Sequence, residues 1–141
     1  MPMNRIFAFL LLFSTLLMRG AASEEEIIPW QSVRIQSPAI PTVGVVTVEA
    51  STDGSTFKQF KITAFGRTHA LEGAELKRLE SFPLLSLTLT HEAGYARLGG
   101  HTLYLKLCRT YHDEAKKQKH QAVTISLQKD ALPIVSEPKP R

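Results

Sequence analysis

The side chains of this 141-residue chain best suited to bind a metal ion are its five histidines: His69, His91, His101, His112 and His120. His91 has the parity of the alternating leucines in segment 85–89, and His101 has that of the leucines in segment 103–107. Both imidazoles should therefore point to an apolar face, near the ends of neighbouring strands. With Glu92 beside them they predict a zinc or copper site, because neutral imidazole suits both metals. The more ordinary alternative is that each imidazole caps the rim of the core through one hydrogen bond to the backbone.

Two segments resemble catalytic motifs, but each lacks a residue that its motif requires. Segment 91–95 reads HEAGY, so Tyr95 stands where a zinc-protease helix needs its second histidine. Segment 94–102 has phosphate-loop glycine spacing, but Gly100 replaces the lysine and a strand follows instead of a helix. We therefore expect a connection whose glycines, Gly94 and the 99–100 pair, adopt backbone angles that other residues avoid.

Cys108 is the only cysteine, which excludes an internal disulfide framework. In an exported protein an unpaired thiol could link two chains as a dimer or act as a nucleophile. No base stands near it in the sequence, because its nearest histidine is His112, across a predicted strand end. A buried or merely tolerated thiol is the third interpretation.

The N-terminus predicts export. In segment 1–22, Arg5 precedes an apolar run over 6–18, and the small residues 20–22 follow, which is the layout of a secretory signal peptide. The run is shorter than the ~20 residues that span a bilayer, so we expect no stable membrane span after cleavage. Retention of the segment as an uncleaved anchor stays open. The predicted location is secreted or periplasmic.

Charge also limits the choice of partner. The formal charge of the whole chain is +4, and two of its basic residues, Arg5 and Arg19, lie in the predicted signal peptide. The polar segment 112–120 carries three lysines, but acidic residues interrupt them and no aromatic residues lie between them, unlike binders of single-stranded nucleic acid. We expect a solvated loop there and no nucleic-acid partner.

The elements that must position these residues follow from periodicity. We predict a lead-in or edge segment over 23–42, one domain over 43–132 and a disordered, proline-containing tail over 133–141. Within the domain, alternation and turn residues predict these strands and one helix: a hairpin of 43–50 with 57–65, a return strand 68–71, a helix 74–81, and strands 85–90, 101–111 and 121–129.

This order predicts an α+β fold, a mostly antiparallel sheet of about five strands with one short helix packed on one face. Because each catalytic pattern fails, the sequence favours a non-catalytic binding or interaction module of the cell envelope or extracellular space over an enzyme. Its partner would be an unidentified protein or envelope component. The alternative is a metal-binding protein or metal-dependent enzyme that uses His91 and His101.

Overall fold

A computed structural model describes residues 31–94 and 100–141. The predicted signal peptide, 1–22, and the first part of the lead-in lie outside the described residues. The chain forms two antiparallel sheets, joined by a segment that contains one short helix.

The first sheet is a four-stranded meander in the order β1-β2-β3-β4. Its strands are β1 (Ser32–Ile40), β2 (Gly44–Asp53), β3 (Thr56–Ala64) and β4 (Arg67–Ala70). Two-residue loops close both of its later hairpins, and in the second the loop residues Phe65 and Gly66 have φ of 53° and 71°. Two successive positive φ values characterise the turn whose twist matches antiparallel strands. The predicted hairpin and return strand are confirmed.

The connecting segment contains helix α1 (Gly73–Lys77), which ends four residues before the predicted boundary. The chain continues in tighter turns, with the amides of Leu79 and Phe82 bonded to carbonyls three residues earlier. These turns bury Leu79 and Phe82 completely or nearly so. A five-residue helix has too few internal hydrogen bonds to persist alone, so docking of these two side chains determines the backbone.

The second sheet has the order β5-β6-β7-β8, and β9 also pairs with β7. Its strands are β5 (Thr88–Ala93), β6 (His101–His112), β7 (Gln118–Gln128), β8 (Ile134–Val135) and β9 (Lys139–Pro140). The predicted strand at 85–90 begins later, because Leu84–Ser86 forms a 3₁₀ turn after Pro83. Leu84 is therefore buried and Leu85 is exposed, which reverses their predicted orientation.

Both ends of the described chain are more ordered than the sequence indicates. Residues 32–40 of the lead-in form edge strand β1, which was one of the two predicted alternatives. The tail predicted to be disordered supplies β8 and β9, and Val135 is buried in the core. Prolines are tolerated there because both strands are only two residues long and lie at the edge of the sheet.

One hydrophobic core lies between the sheets and takes side chains from both. Alternate residues of four strands form most of it: Val46, Val48, Phe60, Ile62, Leu103, Leu105, Leu107, Val123, Ile125 and Leu127. The mostly antiparallel architecture and the single short helix are confirmed. The strands, however, divide between two sheets where one was predicted, because alternation shows that a strand has an apolar face without showing what covers that face. Among residues 31–94 and 100–141, no helix is long and apolar enough to cross a membrane.

Candidate functional site

The β5–β6 hairpin brings His91 and His101 together. His91 is opposite Leu103 and His101 is opposite Ala93, so the two histidines are diagonal neighbours on one face of the sheet. Nε2 of His91 lies 2.8 Å from Nδ1 of His101, and both side chains are half-buried. The predicted convergence of these two residues therefore takes the form of a direct contact between their imidazole rings.

The two imidazoles lie side by side in nearly one plane. Their planes differ by 1° and their centroids are 5.0 Å apart. This centroid distance exceeds the nitrogen–nitrogen distance by about a ring diameter, so the nitrogen–nitrogen vector lies in the ring planes. The contact is thus an in-line hydrogen bond, in which one ring donates its N–H and the other accepts with its lone pair. The histidines bond to each other instead of each capping the backbone.

Glu92 does not join the pair. It follows His91 in an extended strand, so its side chain points to the opposite face of β5. There its carboxylate accepts a hydrogen bond from the hydroxyl of Tyr104, which raises the pKa of Tyr104 above its ordinary value, with partial burial adding to the rise. Glu92 therefore lies on the outer, polar face of the second sheet, away from both imidazoles.

The described residues form no group of three or more histidine, cysteine, aspartate or glutamate side chains that could hold a metal ion. His112 and His120 lie at the far end of β6 and β7, where His120 contacts the hydroxyl of Thr110 at 3.0 Å. His69 lies in β4, in the other sheet. Any metal bound by His91 and His101 would have two described protein ligands, with its other positions filled by water or by a bound ligand.

Gly94 and Gly100 bring the two ends of the β5–β6 connection together. The amide of Gly94 donates a hydrogen bond to the carbonyl of Gly100 at 3.0 Å. A Cβ atom at position 94 would lie 2.5 Å from that carbonyl oxygen. Gly94 is therefore needed for this close approach, and it is not among the described glycines with positive φ, namely Gly44, Gly54, Gly66 and Gly73. Gly99 lies outside the described residues.

Cys108 is half-buried on β6. Its amide donates to the hydroxyl of Ser86 at 3.0 Å, and Nη1 of Arg141 lies 3.9 Å from its sulfur. The thiol thus has neighbours within its own chain, and its position gives no support to the dimer linked through Cys108.

The predicted polar loop is shorter than 112–120, because Lys119 and His120 belong to β7. Asp113 organises it by accepting from the Lys117 amide at 2.9 Å.

An apolar groove opens between the two edge strands β1 and β5. It encloses about 310 Å³, at the small end of the range of ligand pockets, roughly 300–1,000 Å³. The groove is defined by its apolar lining: Ile35, Pro38, Val46, Val48, Leu87, Leu89 and Leu105. Val46 and Leu105 form its buried floor, whereas Ile35 and Leu89 are 39% and 36% exposed. The sequence did not indicate this groove, because alternation within one strand does not show which strand of another sheet lies opposite.

The opposite side of the sandwich is closed by polar contacts. Nη1 of Arg78 donates to the carbonyl of Val135 at 2.8 Å, and Nη2 lies 2.8 Å from Glu137. Arg67 adds an exposed ion pair to Asp130 at 3.7 Å. These contacts join the first sheet and its helix to the C-terminal strands. The apolar core is therefore bridged on one long side of the sandwich and accessible on the other.

The two edge strands beside the groove differ in their protection. The β1 strand contains Pro38 and a register shift between Gln36 and Ala39, and both features discourage pairing with another strand. The β5 strand pairs with β6 in unbroken register from Thr88 to Ala93 and contains no proline, lysine or bulge. Within residues 31–94 and 100–141 no strand pairs with the other edge of β5, so this edge is the better template for an added strand.

No family model matches the chain, and no curated protein or solved structure matches it. Function is therefore inferred from the geometry of the groove and of the histidine pair.

Proposed function

We propose that this protein is a small exported, non-catalytic binding module that receives an extended segment of a partner protein at the groove. The observation that carries the proposal is the combination of an apolar groove with the unprotected edge of β5. An added strand would form main-chain hydrogen bonds to β5 and place alternate side chains in the groove. The predicted signal peptide assigns the partner to the cell envelope or the extracellular space.

The apolar lining of the groove sets the chemistry of the partner. Leu89 faces the groove from β5, Leu87 faces it from the position before that strand, and Ile35 faces it from β1. A chain that pairs with β5 directs every second side chain toward these three residues. We therefore expect the partner segment to alternate aliphatic residues with polar ones.

Groove variants test this proposal. A library of extended peptides displayed on phage is panned against protein purified from expression of the full chain. We expect enriched peptides with alternating aliphatic residues, and we expect Ile35→Asn and Leu89→Asn to weaken their binding at least tenfold. Ile134→Asn is the matched control, because Ile134 is 67% exposed on β8, outside the groove.

Amide hydrogen exchange provides the second measurement. Bound peptide should protect alternate amides between Thr88 and Ala93 and leave exchange at β1 unchanged. Binding that survives both groove substitutions, or protection that appears elsewhere, would contradict the proposal. Concentration-dependent dimerisation abolished by Leu89→Asn would show that a second copy of the chain occupies the groove, which also contradicts it.

A further inference from the structure

The hydrogen bond between His91 and His101 holds two imidazole nitrogens close together, as binding of both to one metal ion requires. Their hydrogen bond requires that a lone pair on one nitrogen face the proton of the other. When the donor ring takes its other neutral tautomer, with its proton on the nitrogen that faces away, both facing nitrogens carry a lone pair that a metal ion can accept. In the part of the chain that the structure describes, neither imidazole has another hydrogen-bond partner in the protein, so metal binding breaks no second contact.

The distance between the nitrogens is close to that of a chelate. Zinc–imidazole bonds are about 2.0–2.1 Å long, so two nitrogens on one tetrahedral ion lie roughly 3.4 Å apart. The pair at 2.8 Å would have to open by roughly half an ångström. Each ring would also have to turn by roughly 35°, so that its lone pair leaves the nitrogen–nitrogen line and points at the ion. Both side chains are half-exposed at the end of the hairpin, so rotations about their side-chain torsions can supply this movement while the backbone register stays fixed.

We propose that His91 and His101 chelate one divalent transition-metal ion, Cu²⁺ or Zn²⁺, in place of the hydrogen bond between them. Imidazole nitrogen prefers these ions, and Mg²⁺ and Ca²⁺ prefer oxygen ligands. The unfilled coordination positions belong to water or to a ligand supplied from outside the described chain. That openness distinguishes the site from a structural zinc site, which has four protein ligands. Glu92 is excluded as a ligand by its orientation toward Tyr104 on the opposite face.

Calorimetric titration of the purified protein tests the site. We expect saturable binding of one Cu²⁺ or Zn²⁺ per chain that EDTA reverses, and no binding of Mg²⁺. His91→Ala and His101→Ala should each weaken binding more than about tenfold, since loss of even an outer-shell partner costs at least that much. His112→Ala and His120→Ala are the matched controls, because both residues lie at the opposite end of the sheet.

Two further measurements keep the test independent of how the variants fold. Zinc should raise the melting temperature of the unmodified protein by several degrees, since a site formed by two juxtaposed imidazoles binds the native state more tightly than the unfolded one. In its NMR spectrum, the imidazole signals of His91 and His101 should shift before those of His112 and His120. Absence of metal-dependent heat, melting and signal changes would overturn the proposal. Equal loss of binding in the control variants would also overturn it, because it would indicate non-specific binding to surface histidines.

Discussion

Nη1 of Arg78 donates a 2.8 Å hydrogen bond to the carbonyl of Val135, 57 residues later in the chain. The same guanidinium forms an ion pair with Glu137 at 2.8 Å. One side chain therefore joins the end of helix α1 to the C-terminal strands. It does so on the side of the sandwich opposite the groove.

Replacement of Arg78 should destabilise the protein more than loss of an ordinary surface ion pair does. We expect Arg78→Ala to lower the free energy of unfolding by about 1–2 kcal/mol, because the Val135 carbonyl loses a charged donor. Arg34→Ala removes an exposed pair with Glu49 at 3.3 Å and should cost less than about 1 kcal/mol. Urea unfolding of both variants measures the difference, and equal costs would contradict the bridging role of Arg78.

The C-terminal strands should contribute to stability through one side chain. Val135 is 3% exposed, whereas its neighbour Ile134 is 67% exposed. We expect Val135→Ala to lower the free energy of unfolding by about 1–3 kcal/mol, since it removes buried methyl groups and leaves a cavity. Ile134→Ala should change it by less than about 0.5 kcal/mol, as expected for an exposed site. Equal stabilities in thermal unfolding would indicate that the tail does not dock.

Gly94 should not accept a side chain. In Gly94→Ala the new methyl group would lie 2.5 Å from the Gly100 carbonyl oxygen, so the backbone must shift. We expect a loss of about 1–3 kcal/mol in the free energy of unfolding, which is typical of overpacking. Thr90→Ala, at an exposed position of β5, the strand that Gly94 follows, is the control and should be nearly neutral. Chemical denaturation compares the two, and an unchanged midpoint for Gly94→Ala would contradict the close approach.

Tyr104 should ionise at a higher pH than an ordinary tyrosine, because Glu92 accepts its hydrogen bond and opposes the phenolate charge. In Glu92→Gln we expect the pKa of Tyr104 to fall toward about 10, the value for unperturbed tyrosine. An NMR titration of the Tyr104 ring measures it, with Glu114→Gln in the β6–β7 loop as the control. The same pKa in Glu92→Gln and the unmodified protein would show that Glu92 is not the cause.

This shift also sets the sign of a pH effect on stability. The pKa of Tyr104 is higher in the folded chain than in the unfolded chain, so the folded state binds the proton more tightly. The contribution of Tyr104 to the free energy of unfolding is therefore present below its pKa in the unfolded chain, and it is lost as the pH rises through its pKa in the folded chain. It should therefore disappear only under alkaline conditions, and the Glu92→Gln variant should lose less stability there than the unmodified protein.

Local features of the fold follow from the sequence. The alternation in β6 and β7 and the turn residues before β3 and β4 predict those strands. Period-two patterning specifies which side chains share a face, and two-residue turns fix the register of a hairpin. That reasoning placed His91 and His101 on one face at neighbouring strand ends. The same reasoning places Glu92 on the opposite face of the sheet, because successive residues of a strand point to opposite faces. The prediction of Glu92 as a third metal ligand did not take this alternation into account.

The pairing of the two sheets was decided only by the tertiary structure. Alternation in β2 and β3 is satisfied equally by any apolar surface, so it could not show that the second sheet covers them. The groove depends on which edge strands lie opposite each other, and Arg78 meets Val135 through contacts remote in sequence. The sequence by itself determined most of the longer strands, the hairpin turns of the first sheet and the shared face of His91 and His101, because these depend on neighbours along the chain. The groove and the closed side depend on long-range packing, which no local pattern encodes, whereas the 2.8 Å contact between the imidazoles follows from the register of the β5–β6 hairpin.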